Sequence, residues 1–157
     1  MLQAKDRVKE YINSLDLDLQ VIEFEEGSTK TAQMAADKLG VAVGQIAKSI
    51  LFKADDEPVL IVTSGDVKVH TSSLKKVIGA KPKMAKPEEC LEITGFYPGG
   101  LCPFALKQPI RILIDKSMGR FEKVYAAAGS ADTAVPITIN DLLTVTGGEL
   151  VDVCRKE

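Results

Sequence analysis

Apolar positions along this chain switch repeatedly between helical and strand spacing. Leu2, Val8, Tyr11, Ile12 and Leu15 recur at roughly helical intervals and predict a helix at the start of the sequence. "LQVIEFE" alternates as a strand. "TKTAQMAADKLGV" reads as a helix with Thr31 as N-cap and Gly40 as its stop. "AKSILFK" and "PVLIVTS" read as two strands joined by the polar turn "ADDE". "SSLKKVIGA" predicts a short helix ended by Gly79, and "KPEECLEITG" another between Pro87 and Gly95. "IRILID" and "KVYAAAG" follow as strands around the turn "KSMGRFE". The strand "AVPITI" then leads to a helix "NDLLTVTG" with Asn140 as cap, and the strand "ELVDV" comes last.

Interspersed helices with hairpin-like strand pairs predict an α+β fold, not a Rossmann winding. The expected architecture is a mixed, largely antiparallel, curved or barrel-like sheet with peripheral helices. With 157 residues and no linker, repeat or low-complexity segment, residues 1–157 are expected to form a single domain. An apolar share of 45% with 27% charge fits a soluble globular protein. No apolar run reaches membrane-spanning length, and "MLQAKDRVKE" has no signal-peptide core, so no membrane association is expected. Cys90, Cys102 and Cys154 are widely spaced without a C-x-x-C pair, which points to a reducing cytoplasm and away from a disulfide scaffold or zinc site. One histidine, His70, excludes a His-rich centre, and neither a metal nor another cofactor is expected. A net charge of −2 disfavours extensive nucleic-acid contact but leaves room for a small footprint on RNA.

Several stretches carry candidate chemistry. On a strand, Lys48 shares a face with Ile50 and Phe52, while Ala47, Ser49, Leu51 and Lys53 take the other. Lys48 is therefore either a strand-end lysine whose stem snorkels to water or an ammonium held at a pocket rim for a phosphate or carboxylate. The small residues Ala126, Ala127, Ala128, Gly129 and Ser130 suit either tight helix packing or a narrow pocket for a small ligand. Asp115, closing "RILID", either answers Lys48 or a ligand amine, or opens the following turn. Lys75, Lys76, Lys81, Lys83 and Lys86 occur without an acidic residue among them, as a solvated face or a phosphate-backbone contact.

"GFYPGGLCPFAL" concentrates Gly99, Gly100, Leu101, Cys102 and Pro103. A cysteine nucleophile needs a base, and nothing in the sequence places His70 beside Cys102. The stronger reading uses the backbone: glycines free to take positive φ, a fixed exit at Pro103, and amides converging on an oxygen. That is an oxyanion site without a nucleophile.

"AKSILFK", "GFYPGGLCPFAL", "ILID" and "VYAAAGS", in this order, resemble the YbaK/prolyl-tRNA-synthetase-associated domain family over about residues 20–150. The family's G-x-x-x-P loop matches Gly99 to Pro103, and its early-strand lysine matches Lys48. The resemblance implies a YbaK-like fold and hydrolysis of mischarged aminoacyl-tRNA by a free-standing trans-editing deacylase. Loop amides would hold the ester carbonyl, Lys48 would position the tRNA 3′ end, and the substrate's own 2′-hydroxyl or a cysteinyl thiol would assist. Aminoacyl-tRNA is the implied partner, with prolyl-tRNA synthetase as a candidate second. The branch specific for cysteinyl-tRNA has tyrosine where Phe24 stands, and serine and aspartate near Ala127 and Ala134; Cys102 replaces a commoner Ser or Thr. The competing reading is a non-catalytic module for an aminoacyl-adenosine end or a free amino acid.

Overall fold

The computed structural model describes residues 3–156, so Leu2 of the anticipated first helix lies outside the described residues. In chain order the elements are α1 (Ala4–Ser14), β1 (Ile22–Glu23), α2 (Ala32–Leu39), β2 (Ile46–Ala54), β3 (Glu57–Ser64), β4 (Val67–Val69), α3 (Thr71–Ile78), β5 (Lys83–Met84), α4 (Pro87–Thr94), β6 (Arg111–Asp115), β7 (Val124–Ala126), β8 (Thr133–Ile137), α5 (Ile139–Thr146), β9 (Glu149–Val151) and β10 (Cys154–Lys156). An 8-stranded mixed sheet runs β1-β8-β7-β2-β3-β6-β9, with β5 added on β2, and β4 pairs β10 separately. The β2–β3, β7–β8, β1–β8 and β2–β5 pairs are antiparallel; β2–β7, β3–β6 and β6–β9 are parallel. The architecture is the α+β fold that the sequence predicts.

The β2–β3 hairpin turns through Asp55 and Asp56, both at positive φ, which matches the primed turn required by the strand twist; Asp tolerates that region better than bulkier residues. Side chains then alternate between two cores. Ala47, Leu51, Leu60, Val62, Ile112 and Ile114 pack under α1, α4 and α5. Phe52, Val59, Ile61 and Leu113 pack against Leu74 of α3 and Cys154 of β10. With both faces covered, the central strands read as nearly continuous apolar runs.

Three expectations shift. Helix α5 starts earlier than anticipated: Thr138, not Asn140, accepts the Asp141 amide at 3.1 Å, which brings Ile139 onto the first core. "LQVIEFE" pairs only at Ile22 and Glu23, although the Phe24 amide extends the contact to the Asp132 carbonyl at 2.8 Å. Strands β4, β5 and β10 are only two or three residues long, too short for a periodic pattern to mark them in the sequence. Among the described residues no helix is long and apolar enough to cross a membrane.

Candidate active site

Strand β7 leaves β2 after Ala47, and β5 joins it only at Phe52. This sheet edge is therefore open at Lys48–Ile50, and a cavity of about 290 Å³ sits there. Lys48 lines it together with Phe24, Gly99, Leu101 and Ala127, five of the residues singled out from sequence. Lys48 is half-buried, on the same sheet face as Ile50 and Phe52, and among the described residues it has neither an ion-pair nor a side-chain hydrogen-bond partner. Further walls come from Thr31, Ala32 and Ala35 at the start of α2, and from Tyr125 and Thr133. Sequence reasoning saw Thr31 only as the α2 cap, which it is, accepting the Met34 amide at 3.1 Å. Capping and lining a cavity are compatible uses of one residue, but only the first has a sequence signature. Among the described residues no carboxylate, imidazole or thiol lines this cavity.

The glycine loop departs from its expected geometry. Pro98–Gly100 form a 3₁₀ turn, and neither Gly99 nor Gly100 has positive φ; the positive φ in this segment falls on Ala105. The Gly100 amide donates to the Tyr97 carbonyl at 3.0 Å and the Leu101 amide to the Pro98 carbonyl at 3.3 Å, so both close the turn. Gly99 is exposed, lines the cavity, and its amide takes no part in those turn bonds. Gly100 is glycine for steric reasons: a Cβ there would lie 2.5 Å from the Gly129 carbonyl carbon and oxygen. The Gly129 amide in turn donates to the Gly100 carbonyl at 3.1 Å.

Cys102, Pro103 and Asp115 do not line the cavity. Cys102 is fully buried, its thiol pointed at the Phe104 carbonyl, and burial pushes it up to about 12. Pro103 is buried in the loop exit. Asp115 is committed elsewhere: its carboxylate accepts the Ser117 amide at 3.0 Å and the Val153 amide at 2.9 Å, so it opens the turn and ties the C-terminal segment. Gly129 and Ser130 line a second, adjoining cavity. His70 caps α3. The lysine-rich segment divides: Lys75 and Lys76 lie on α3, whereas Lys81, Lys83 and Lys86 border a groove shared with Asp55, Asp56, Glu88 and Glu89, which cancels its positive character.

A family model for the aminoacyl-tRNA editing domain matches residues 26–145. An uncharacterised protein of Bacillus subtilis (strain 168), YwhH, is 35% identical over 150 residues, covering 94% of this chain and 95% of that protein. The proline–tRNA ligase of Bacillus pumilus (strain SAFR-032) is 36% identical over 124 residues, which is 78% of this chain but 22% of the ligase. Among solved structures, a candidate trans-editing enzyme for prolyl-tRNA synthetase superposes with a TM-score of 0.92 at 30% identity, covering 100% of this chain and 99% of the other.

Proposed function

The chain belongs to the aminoacyl-tRNA editing domain family, and from that premise we propose that residues 1–157 act as one free-standing, cytoplasmic deacylase of mischarged aminoacyl-tRNA. The observation that carries the mechanistic reading is the cavity lining: cations and hydroxyls, with no carboxylate, imidazole or thiol among the described residues. With no carboxylate or imidazole to serve as general base and no thiol to attack, the lining favours assistance by the substrate. The ribose hydroxyl beside the ester orients a water molecule and relays its proton. Water adds to the ester carbonyl, the bond to the ribose oxygen breaks, and that oxygen takes up the proton. Free amino acid and uncharged tRNA leave. Lys48 and the Gly99 amide are the donors toward the carbonyl oxygen, and Phe24, Leu101 and Ala127 shape the walls. The cavity volume and the alanines along its walls, Ala35, Ala127 and Ala134 among them, favour a small amino-acid side chain. Editing at such a side chain answers a real need, since one methylene in a synthetase pocket discriminates by only about 1–3 kcal/mol.

A panel of mischarged tRNAs tests this, beginning with tRNA charged by prolyl-tRNA synthetase, as the named relatives suggest. Release of a small amino acid is expected; binding of the charged tRNA without release would leave a recognition module instead.

Cys102 supplies a further check. With its thiol near 12, roughly 10⁻⁵ of it is thiolate at neutral pH, and it is sealed from solvent. Cys102→Ala is expected to keep hydrolysis within about tenfold, under roughly 1.4 kcal/mol of barrier. The folded protein should resist iodoacetamide at this position, and no limb of the pH–rate profile below about 11 should disappear in the variant. Trapping a thioester on Cys102 would reverse this assignment.

A further inference from the structure

The second cavity measures about 750 Å³ and opens between the start of α1, the Glu26–Gly27 turn and the Gly129–Asp132 loop. Thr29, Lys30 and Ala131 line both cavities, so the two share a wall. That wall is braced from several directions. The Thr29 hydroxyl donates to the Ala131 carbonyl at 2.7 Å, the Phe24 amide to the Asp132 carbonyl at 2.8 Å, and the Ala128 amide to the Thr133 hydroxyl at 2.9 Å. Behind it, the first turn of α1 packs so closely on Gly129 that a Cβ there would lie 2.7 Å from the Ala4 carbonyl. A recess held this firmly beside a reaction site is preorganised for a ligand.

Its side chains identify the ligand class. Lys5 and Lys30 supply two ammonium groups; Glu26 and Asp132 supply two carboxylates. Lys30 has no ion-pair partner among the described residues, and Lys5 reaches Glu23 only at 3.6 Å. The Asp132 carboxylate is fixed by the Ser130 hydroxyl. A simple anion site would not include the carboxylates, and a cation site would not include the lysines. A nucleotide satisfies both, with a phosphodiester for the ammonium groups and an exocyclic base amine for a carboxylate.

Resting on the deacylase reading, we propose that the second cavity receives the nucleotide preceding the acylated adenosine, and that Glu26 and Asp132 select a base carrying an exocyclic amine. The shared wall supports this placement, because the phosphate joining the two nucleosides would pass Lys30.

The test compares esters of the amino acid released fastest in the tRNA panel, attached to adenosine, to cytidylyl-adenosine and to uridylyl-adenosine. In the native protein kcat/KM should be about tenfold or more higher for cytidylyl-adenosine than for adenosine, and uridylyl-adenosine should forfeit most of that gain. In Lys5→Ala and in Glu26→Gln the ratio of dinucleotide to mononucleoside rates should fall toward one. A native ratio of one, or a ratio untouched by either substitution, overturns the proposal while leaving the deacylase reading in place. If no ester is hydrolysed, the deacylase reading fails, and binding of unacylated cytidylyl-adenosine decides the cavity: amide shifts at Gly27, Gly129 and Ser130 that adenosine alone does not cause support it, and their absence overturns it.

Discussion

Lys48→Ala is expected to lower kcat/KM for deacylation by about 10²–10³, the scale of losing one preorganised donor at a developing oxyanion. Lys48 places an ammonium on the open edge of β2, in the same cavity as Gly99. Charge develops on the ester oxygen only as water adds, so an ammonium aimed there acts mainly on kcat. If it instead grips the phosphate of the terminal nucleotide, KM carries the loss and kcat stays. Steady-state kinetics separate the two assignments, and a variant as active as the native protein would remove Lys48 from the mechanism altogether. Stability should hold within about 0.5 kcal/mol, because no buried partner is orphaned by the change. Lys48→Arg should recover little, since a planar guanidinium cannot replace a compact ammonium at one point.

The lysine was legible because a strand's two-residue period fixes which side chains share a face, and "AKSILFK" is long enough to show it. The hairpin to "PVLIVTS" was legible for the same reason, along with the Asp-Asp turn between them. Other parts of the site depend on the crossing of segments distant in sequence. The shared wall joins Thr29 to Ala131, and beside it the Gly129 amide bonds the Gly100 carbonyl, pairs that no local pattern connects. Asp115 illustrates the reverse failure: either of its anticipated roles suits an aspartate ending a strand, and only the position of the Val153 amide decides between them. At Lys81, Lys83 and Lys86 the lysine-rich run is not a purely positive surface, because carboxylates of the β2–β3 turn and of α4 border the same groove.

Gly100 shows how a correct residue can be reached by an incorrect cause, and it yields the other large expected effect. Conformational freedom does not explain it, since its φ is one that any residue adopts. What excludes a side chain is backbone: an added Cβ would meet the Gly129 carbonyl at 2.5 Å and the Ser130 Cα at 2.7 Å. Gly129 cannot retreat, because its own position is closed by the backbone of Ala4 and Lys5 and it sits at a φ of +96°. The first turn of α1, the Gly129 loop and the Gly100 turn are thus stacked without space between them. Overpacking of a well-filled site costs about 1–3 kcal/mol, and more where only backbone can move. Gly100→Ala is therefore expected to cost about 3 kcal/mol, which for a chain of this size lowers Tm by roughly 6–12 °C. Catalysis should fall with it, since relieving the clash displaces the wall shared by both cavities. Gly99→Ala is the control: its Cβ would rest 3.6 Å from the Ala131 methyl, an ordinary contact, so stability should stay within about 0.5 kcal/mol of native. Gly99→Val, with two more carbons at the cavity mouth, should slow hydrolysis while remaining folded. Thermal melts and rates on the three variants read the two causes separately. Equal tolerance at both glycines would show that the Gly100 stack yields easily, and equal damage at both would return the explanation to backbone conformation.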